Sequence, residues 1–414
     1  MPEPRSAYLH IPFCHRRCFY CDFAVVPLGD RAGSQRGQSG AASIASYVEL
    51  LLREIAASPI GAPLSTVYLG GGTPSLLSPA QVDALLSLLR QRYGLAPGAE
   101  ITLELDPASF DAQRLAAYLA AGVNRVSLGG QSFDDAVLES LGRRHRCADL
   151  QQAIDWLTAA RQRGELSSWS LDLIQGLPGQ QPSHWERQLQ QAIASGAPHL
   201  SVYELSIEPG TVFGKQAERG QLQRLDEDQA ADLLELTSAR LTAAGYGHYE
   251  ISNYAKPGHA SRHNRVYWSG ADWWGFGLGA TSCRGGMRLA RPRTRAAYGA
   301  WVDALEQQAG HLEASAQGQA ETNPGLPLDE RLLVGLRRRE GVAMAALLRQ
   351  AGSSDPAPRL QELRQELQDE RDQGLLLIEG QRWRLSDPAG LSLSNAVLRK
   401  LLGWWERVEP SPIA

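Results

Sequence analysis

Ala7-Tyr-Leu-His-Ile-Pro-Phe-Cys14-His-Arg-Arg-Cys18-Phe-Tyr-Cys21-Asp-Phe23 places three cysteines in a Cys-x3-Cys-x2-Cys loop behind a short apolar run. Three thiolates hold three corners of a four-iron cluster, whereas such clusters are ordinarily held by four cysteines. The fourth iron is then left to a distant cysteine or to a small ligand, and the second arrangement makes a reactive site. Zinc competes for the same thiolates. A structural zinc site takes four ligands, usually as two separated pairs. His10 or His15 could complete such a set, but the uneven spacing does not match paired knuckles. A structural zinc protein therefore stands as a minor alternative. Disulfides fit less well, because the cysteines number five and Pro2, Glu3, Pro4 and Arg5 stand where a secretory segment would be apolar. A reducing, cytoplasmic compartment is expected. Cys147 follows the basic run Arg143-Arg-His-Arg146 and is a conceivable fourth ligand, but it reads as an incidental thiol, as does Cys283.

Charge and hydropathy narrow the class. The 414 residues carry a net charge of −4 and 43% hydrophobic side chains. That composition supports a sizeable core and gives no basic excess for nucleic acid or membrane surfaces. No apolar run approaches the roughly eighteen residues of a membrane-spanning helix. Residues 28–43, rich in Gly, Ser, Gln and Ala, read as a flexible insertion, and 314–327 as a linker. These breaks predict a core over 1–255, an aromatic and glycine-rich connecting region over 256–313, and a C-terminal unit over 328–414.

Within the core, apolar runs alternate with helical periodicity. Strands are predicted at 8–11, 66–69, 100–105, 123–128, 169–174, 200–205 and 248–251, and helices at 47–57, 79–92, 111–121, 150–163, 184–195 and 227–244. Ser78 followed by Pro79 marks a helix start, and Gly122 and Gly196 mark helix stops. The alternation predicts parallel βαβ units and an α/β fold. About six or seven units in about 250 residues suit a full or partial (β/α) barrel, whose chemistry sits where the strands end. The cysteine loop follows the first strand and Gly70-Gly-Gly-Thr-Pro74 the second. Glu104-Leu-Asp106 closes the third and Gly129-Gly-Gln131 the fourth, while Asp172 and Glu204 lie in the fifth and sixth. Such repeated convergence predicts one shared cavity.

Each of these groups has a chemical use. Glycines let backbone approach a ligand. Glu104 and Asp172 accept hydrogen bonds, Gln131 donates and accepts, and Arg143 can grip a carboxylate with two parallel bonds. Together they suit a zwitterionic, ribose-bearing ligand.

With its cysteine loop, aromatic Tyr20 and Gly-Gly-Thr-Pro run, the chain resembles the radical S-adenosylmethionine (SAM) superfamily. Within it the chain is similar to the group of oxygen-independent coproporphyrinogen III oxidase, a likeness strengthened by Asp172-Leu-Ile-Gln-Gly-Leu-Pro178 and Ile207-Glu-Pro-Gly-Thr211. The resemblance implies a partial (β/α) barrel of radical SAM type and a [4Fe–4S] cluster on Cys14, Cys18 and Cys21. It implies SAM on the open iron, cleaved by the reduced cluster to methionine and a 5′-deoxyadenosyl radical. SAM contacts are then expected at Tyr8, Tyr20, Gly71, Gly72, Thr73, Glu104, Gln131, Arg143 and Asp172.

Two departures choose between subgroups. The oxidase resembles Cys-x3-Cys-x2-Cys-x-Cys, and the last of those positions is Phe23 here. The oxidase also carries a long N-terminal extension, which this reading does not expect ahead of Cys14. Both departures resemble the oxidase-like heme chaperones, which bind heme and pass it to acceptor proteins. His263-Asn-Arg-Val-Tyr-Trp268 matches the His-Asn-x-x-Tyr-Trp element of that group. Imidazole is a common axial ligand of heme iron, so His263 is the expected ligand, with His259 as a competitor. Tyr267 and Trp268 are expected against a porphyrin face. Heme and heme-acceptor proteins are the expected partners, a homodimer contact at the cluster loop is considered, and a radical SAM enzyme acting on a tetrapyrrole is the alternative.

In 328–414, helices at 329–337, 344–352 and 358–373, a hairpin from Leu375-Leu-Leu-Ile378 to Arg382-Trp-Arg-Leu385, and a final helix to Leu402 suggest a winged-helix-like α+β domain. Arg337-Arg-Arg339 is offset by Glu362, Glu366, Asp369, Glu370 and Asp372, so a cap or docking role is favoured over nucleic-acid binding.

Overall fold

Alternation at period two builds the central sheet, and it separates two chemistries. The computed structural model describes residues 3–30, 32–33, 37–38, 40–312 and 327–408. The expected linker, apart from its last residue, and parts of the 28–43 insertion lie outside the described residues. In chain order the sheet strands are β1 (Ser6–Ile11), β2 (Leu64–Gly71), β3 (Leu95–Leu105), β4 (Arg125–Gln131), β5 (Ser168–Gln175), β6 (His199–Glu204), β7 (Gly247–Glu250), β8 (Asn253–Ala255) and β9 (Trp274–Phe276). They lie side by side as β9-β1-β2-β3-β4-β5-β6-β8-β7. Pairings from β9 to β6 are parallel, and those of β8 with β6 and β7 are antiparallel.

The register aligns like with like. Leu9 stands beside Leu69 and Leu69 beside Leu103, while Tyr8 stands beside Tyr68 and Tyr68 beside Thr102. The apolar rows, including Leu9, Val67, Leu103, Leu128, Leu171 and Leu200, join the main core with the helices. Each fully buried leucine contributes roughly 2 kcal/mol. The alternate positions are polar or aromatic: Tyr8, Tyr68, Glu104, Ser127, Asp172 and Tyr203. Parallel strands buried in apolar matter on both faces read as continuous hydrophobic runs. These strands do not, so one face is built to meet something polar.

The helices follow local rules. Ile44, Tyr47, Val48, Leu51 and Ile55 of α1 (Ala41–Ala57) recur at helical spacing and are buried. The next helix, α2 (Pro79–Arg92), begins with a reciprocal capping box between Ser78 and Gln81. Buried Glu54 on α1 fastens the connecting region. It accepts from Gly277 N at 2.7 Å, Arg291 Nε at 2.8 Å and the Tyr298 hydroxyl at 2.7 Å.

A second apolar cluster holds Leu336, Met344, Leu347, Leu363, Trp383, Leu398 and Trp404. Around it stand Leu328–Gly335, Met344–Gln350, Ala357–Glu366, the Leu376–Glu379 and Arg382–Leu385 hairpin, and Ser394–Val408. The helix expected over 358–373 is interrupted at Leu367, with a further short helix over Gln368–Asp372. This unit touches the core where His248 Nδ1 lies 2.9 Å from Asp387 and where Arg339 N donates to Tyr249 O at 3.1 Å.

Two further differences from the sequence reading stand out. Strand β3 starts at Leu95, ahead of its apolar run. Trp274–Phe276, expected to be part of a connector, is a strand of the main sheet beside β1. Three residues are too few to register a period of two.

Candidate functional site

The cysteine loop leaves β1 through buried Ile11 and Phe13. A short parallel clasp closes it, with Val26 N donating to Pro12 O at 2.7 Å and Leu28 N to Cys14 O at 2.9 Å. Within it Cys21 N donates to Cys18 O at 3.2 Å, and Arg17 Nε to Cys21 O at 2.9 Å. The three thiols are free and half-buried. Burial pushes the Cys14 thiol up to about 12 and raises Cys21 as well. Such thiols stay protonated until a metal supplies the charge that deprotonates them.

Glycine makes room beside the loop. A Cβ on Gly72 would lie 2.6 Å from Phe13 O and 3.0 Å from Cys14 Sγ. Gly71 has φ +115, and a Cβ there would lie 2.5 Å from the His10 ring. Thr73 N donates to Phe13 O at 2.6 Å. The end of β2 is thus sewn to the loop at a closeness that side chains forbid.

Polar groups arrive from the strand ends. Glu104 accepts from the Tyr68 hydroxyl at 2.8 Å and from Gly71 N at 2.9 Å. Burial raises its carboxyl to about 7, against those two bonds. Arg143 pairs with Asp106 at 2.7 Å, reaches Cys18 Sγ at 3.6 Å and donates to Gly129 O at 3.0 Å. Burial opposes the Asp106 charge, but Arg143 and then His145 overcome it and hold the carboxyl well below the usual range. Gln131 has φ +59, the one non-glycine residue with positive φ among those described, and it follows a register shift between β4 and β5. Such strain persists where the surroundings enforce it, commonly at ligand sites. Asp172 accepts from the Ser127 hydroxyl at 2.9 Å, and burial raises its carboxyl.

Cys14, Cys18 and Cys21 line one cavity of about 540 Å3 together with Tyr20, Gly71, Gly72, Thr73, Glu104, Gln131, Arg143 and Asp172. Among the described residues Gln131 Oε1, Asp172 Oδ1 and Arg143 Nε are buried without hydrogen-bond partners. Orphaned polar atoms around a roomy cavity, beside three thiols and a glycine cradle, fit an iron–sulfur cluster and a polar ligand above it. Tyr8 is placed elsewhere. Its hydroxyl bonds His10 Nδ1 at 2.9 Å, and it lines a neighbouring cavity. Cys147 begins a helix, its N–H held by Asp135 at 2.7 Å, and Cys283 is buried beside Trp273; neither lines the cysteine cavity.

His263 lies deep beneath the site and is fully buried. Its Nδ1 lies 2.8 Å from Thr66 Oγ1 and its Nε2 2.9 Å from the Tyr267 hydroxyl. Its backbone N–H donates to Glu100 at 2.9 Å, and its ring stacks on Tyr68 at 5.1 Å. Burial, then Arg125, lowers its imidazole to about 3, which keeps it neutral. Both ring nitrogens are engaged in this arrangement, and Tyr267 stands between His263 and the neighbouring cavity. His259 bonds Ser168 Oγ at 3.0 Å and also lies outside both cavities. Sequence reasoning passed over Tyr68 and Tyr203 as cavity residues and Asp106 as the partner of Arg143. Their places as alternate positions on β2 and β6, and two residues past Glu104, are the signal that could have found them.

Fold and cysteine loop together define a radical SAM protein, and the radical SAM superfamily matches residues 8–192. The solved structure of coproporphyrinogen III oxidase (HemN) from Escherichia coli, a radical SAM enzyme, shares the fold with a TM-score of 0.72 at 23% identity, over 96% of this chain and 90% of that one. Heme chaperone HemW of Synechocystis is 43% identical over 83% of this chain and 80% of its own length. Heme chaperone HemW of Mycobacterium tuberculosis is 35% identical over 97% of this chain and 95% of its own. The chain belongs to the HemW family of radical SAM proteins. Membership of the superfamily implies a [4Fe–4S] cluster and SAM.

Proposed function

We propose that the chain binds heme and hands it to acceptor proteins, while carrying a [4Fe–4S] cluster on Cys14, Cys18 and Cys21. The observation that carries this reading is likeness to proteins named heme chaperones across 97% of the chain, connecting region and C-terminal unit included. Position 23 supports it, since Phe23 offers no fourth sulfur.

The chain's own residues have these parts. Cys14, Cys18 and Cys21 hold the cluster. Glu104, Gln131 and Asp172 accept from the ribose and ammonium of SAM, and Gly71, Gly72 and Thr73 offer backbone to it. Arg143, held by Asp106, sets a positive charge between Cys18 and the ligand. Tyr20, on the wall of the same cavity, is a further SAM contact. A cluster and SAM held by these residues would supply one-electron, carbon-radical chemistry. His263 braces Tyr267 and, through it, the aromatic element expected to face heme. Residues 1–255 supply most of the core, 256–313 add an edge strand to it and serve as the heme-facing connector, and 328–414 serve as a docking unit. A cytoplasmic location follows from the same reading; among the described residues no helix is long and apolar enough to cross a membrane.

The test is a heme titration followed in the Soret band, then mixing with an apo-heme protein. Saturable one-to-one binding and transfer are expected. Non-saturating binding combined with anaerobic turnover of coproporphyrinogen III would replace this reading with the oxidase.

A further inference from the structure

A second cavity, of about 520 Å3, lies on the other side of the cysteine loop. Its aromatic side is made by Tyr267, Trp268 and Trp273. Tyr267 meets Trp273 edge-on, with centroids 4.8 Å apart, and His263 fixes Tyr267 from behind at 2.9 Å. The cavity lies within the range of about 300–1,000 Å3 found for small-molecule sites. Its charges sit at the rim. Arg288 lies over the Trp273 ring at 4.9 Å and pairs with Glu330 at 2.9 Å. Arg293 is exposed and donates to Asp22 O at 3.4 Å; among the described residues no carboxylate pairs with it. Asp22 contributes one acidic group. Phe23, 56% exposed, belongs to both cavities.

A ligand that matches these walls is planar and conjugated, with an apolar body and carboxylates at one edge. Aromatic side chains receive the body. A guanidinium at the rim receives a carboxylate with two parallel bonds. A dicarboxylate porphyrin has that form. We propose that Arg293, at the rim of this cavity, receives a propionate of a tetrapyrrole lying on the aromatic element, and that this cavity is filled independently of the SAM cavity across the Asp22–Phe23 partition. The proposal rests on the heme reading above, which already gives the aromatic element as the porphyrin-facing one, and adds to it the carboxylate anchor and the simultaneous occupancy.

The test uses the full chain with its cluster reconstituted anaerobically. Protoporphyrin IX and its dimethyl ester are titrated, with and without saturating SAM, into the unmodified protein and into Arg293→Ala and Arg293→Lys. Arg293→Ala is expected to weaken protoporphyrin IX about tenfold, as loss of a charge-assisted pair does. It should leave the ester within about twofold, and Arg293→Lys should recover part of the loss. SAM should leave porphyrin affinity within about threefold, since separate cavities do not compete. Equal effects of Arg293→Ala on diacid and ester, or no effect on either, overturn the anchor. Stoichiometric displacement of porphyrin by SAM overturns the simultaneous occupancy. Failure of the unmodified protein to bind porphyrin and heme saturably overturns the heme reading and this anchor with it, so the two failures are told apart.

Discussion

The two cavities share a wall but differ in construction. The one beside the thiols draws polar groups from the ends of β2 to β6, each delivered by a strand of fixed register, and it leaves buried oxygens unsatisfied. The other draws aromatic rings from the helix Arg262–Ser269 and the turn after it, with its charges exposed at the rim. Rigid strands suit a ligand that must be held in one orientation against a cluster. A bed of rings with exposed cations at its rim suits a flat, carboxylate-bearing ligand. The contrast teaches that one fold can set a polar, strand-built cavity and an aromatic, helix-built one a single loop apart.

The largest expected effect tests whether the cavities are separable. Replacing Cys14, Cys18 and Cys21 together with Ala should abolish iron–sulfur absorbance after anaerobic reconstitution and leave porphyrin affinity within about threefold. Loss of both would show that the loop supports the two cavities as one. Next in size is Gly72→Ala. Its Cβ would meet backbone at Phe13 O at 2.6 Å, so loop or strand must shift. SAM affinity, measured by equilibrium dialysis on the clustered protein, should fall at least about tenfold while protoporphyrin IX binding stays.

Glu104→Gln gives a subtler signature. With its carboxyl raised to about 7, Glu104 is mostly protonated below that pH and charged above it. If the charged form accepts from the cationic ligand, SAM affinity rises as pH climbs through about 7, and Gln at this position flattens the rise. A slope unchanged in the variant would remove Glu104 from the ligand's contacts. The smallest effect is expected from Trp268→Leu. Losing one ring from the aromatic wall should weaken porphyrin about three- to tenfold, on the order of an aromatic pair's energy, and leave SAM untouched.

Much of this was legible beforehand, for identifiable reasons. The strands of the core carry both a hydrophobic alternation and a glycine or helix cap at their ends, so their positions along the chain and the residues at their tips could be read from local pattern. The helix Pro79–Arg92 was read to the residue because Ser78 and Pro79 signal its start chemically. The cysteines and the polar strand tips were readable because chemistry restricts residue type. What was not legible depended on long-range placement. Trp274–Phe276 joins the sheet by pairing with β1, far away in sequence. Tyr8 belongs to the alternating row that faces inward, yet its position beside β9 directs it to the second cavity. His263 has the residue type of a ligand, but its hydrogen bonds to Thr66 and Tyr267 set its surroundings; Tyr267 lies in its own motif one helical turn on, whereas Thr66 is 197 residues away and invisible from it.

Glu54 and Arg291 lie 237 residues apart in the chain and meet in the interior, where neither carries solvent around its charge. Losing one partner strands the other at a cost of about 3–5 kcal/mol, while exchanging both for well-packed apolar residues is often neutral. Glu54 also holds Gly277 N and the Tyr298 hydroxyl, so this one carboxylate ties the first helix to three points of the connector that carries the aromatic wall.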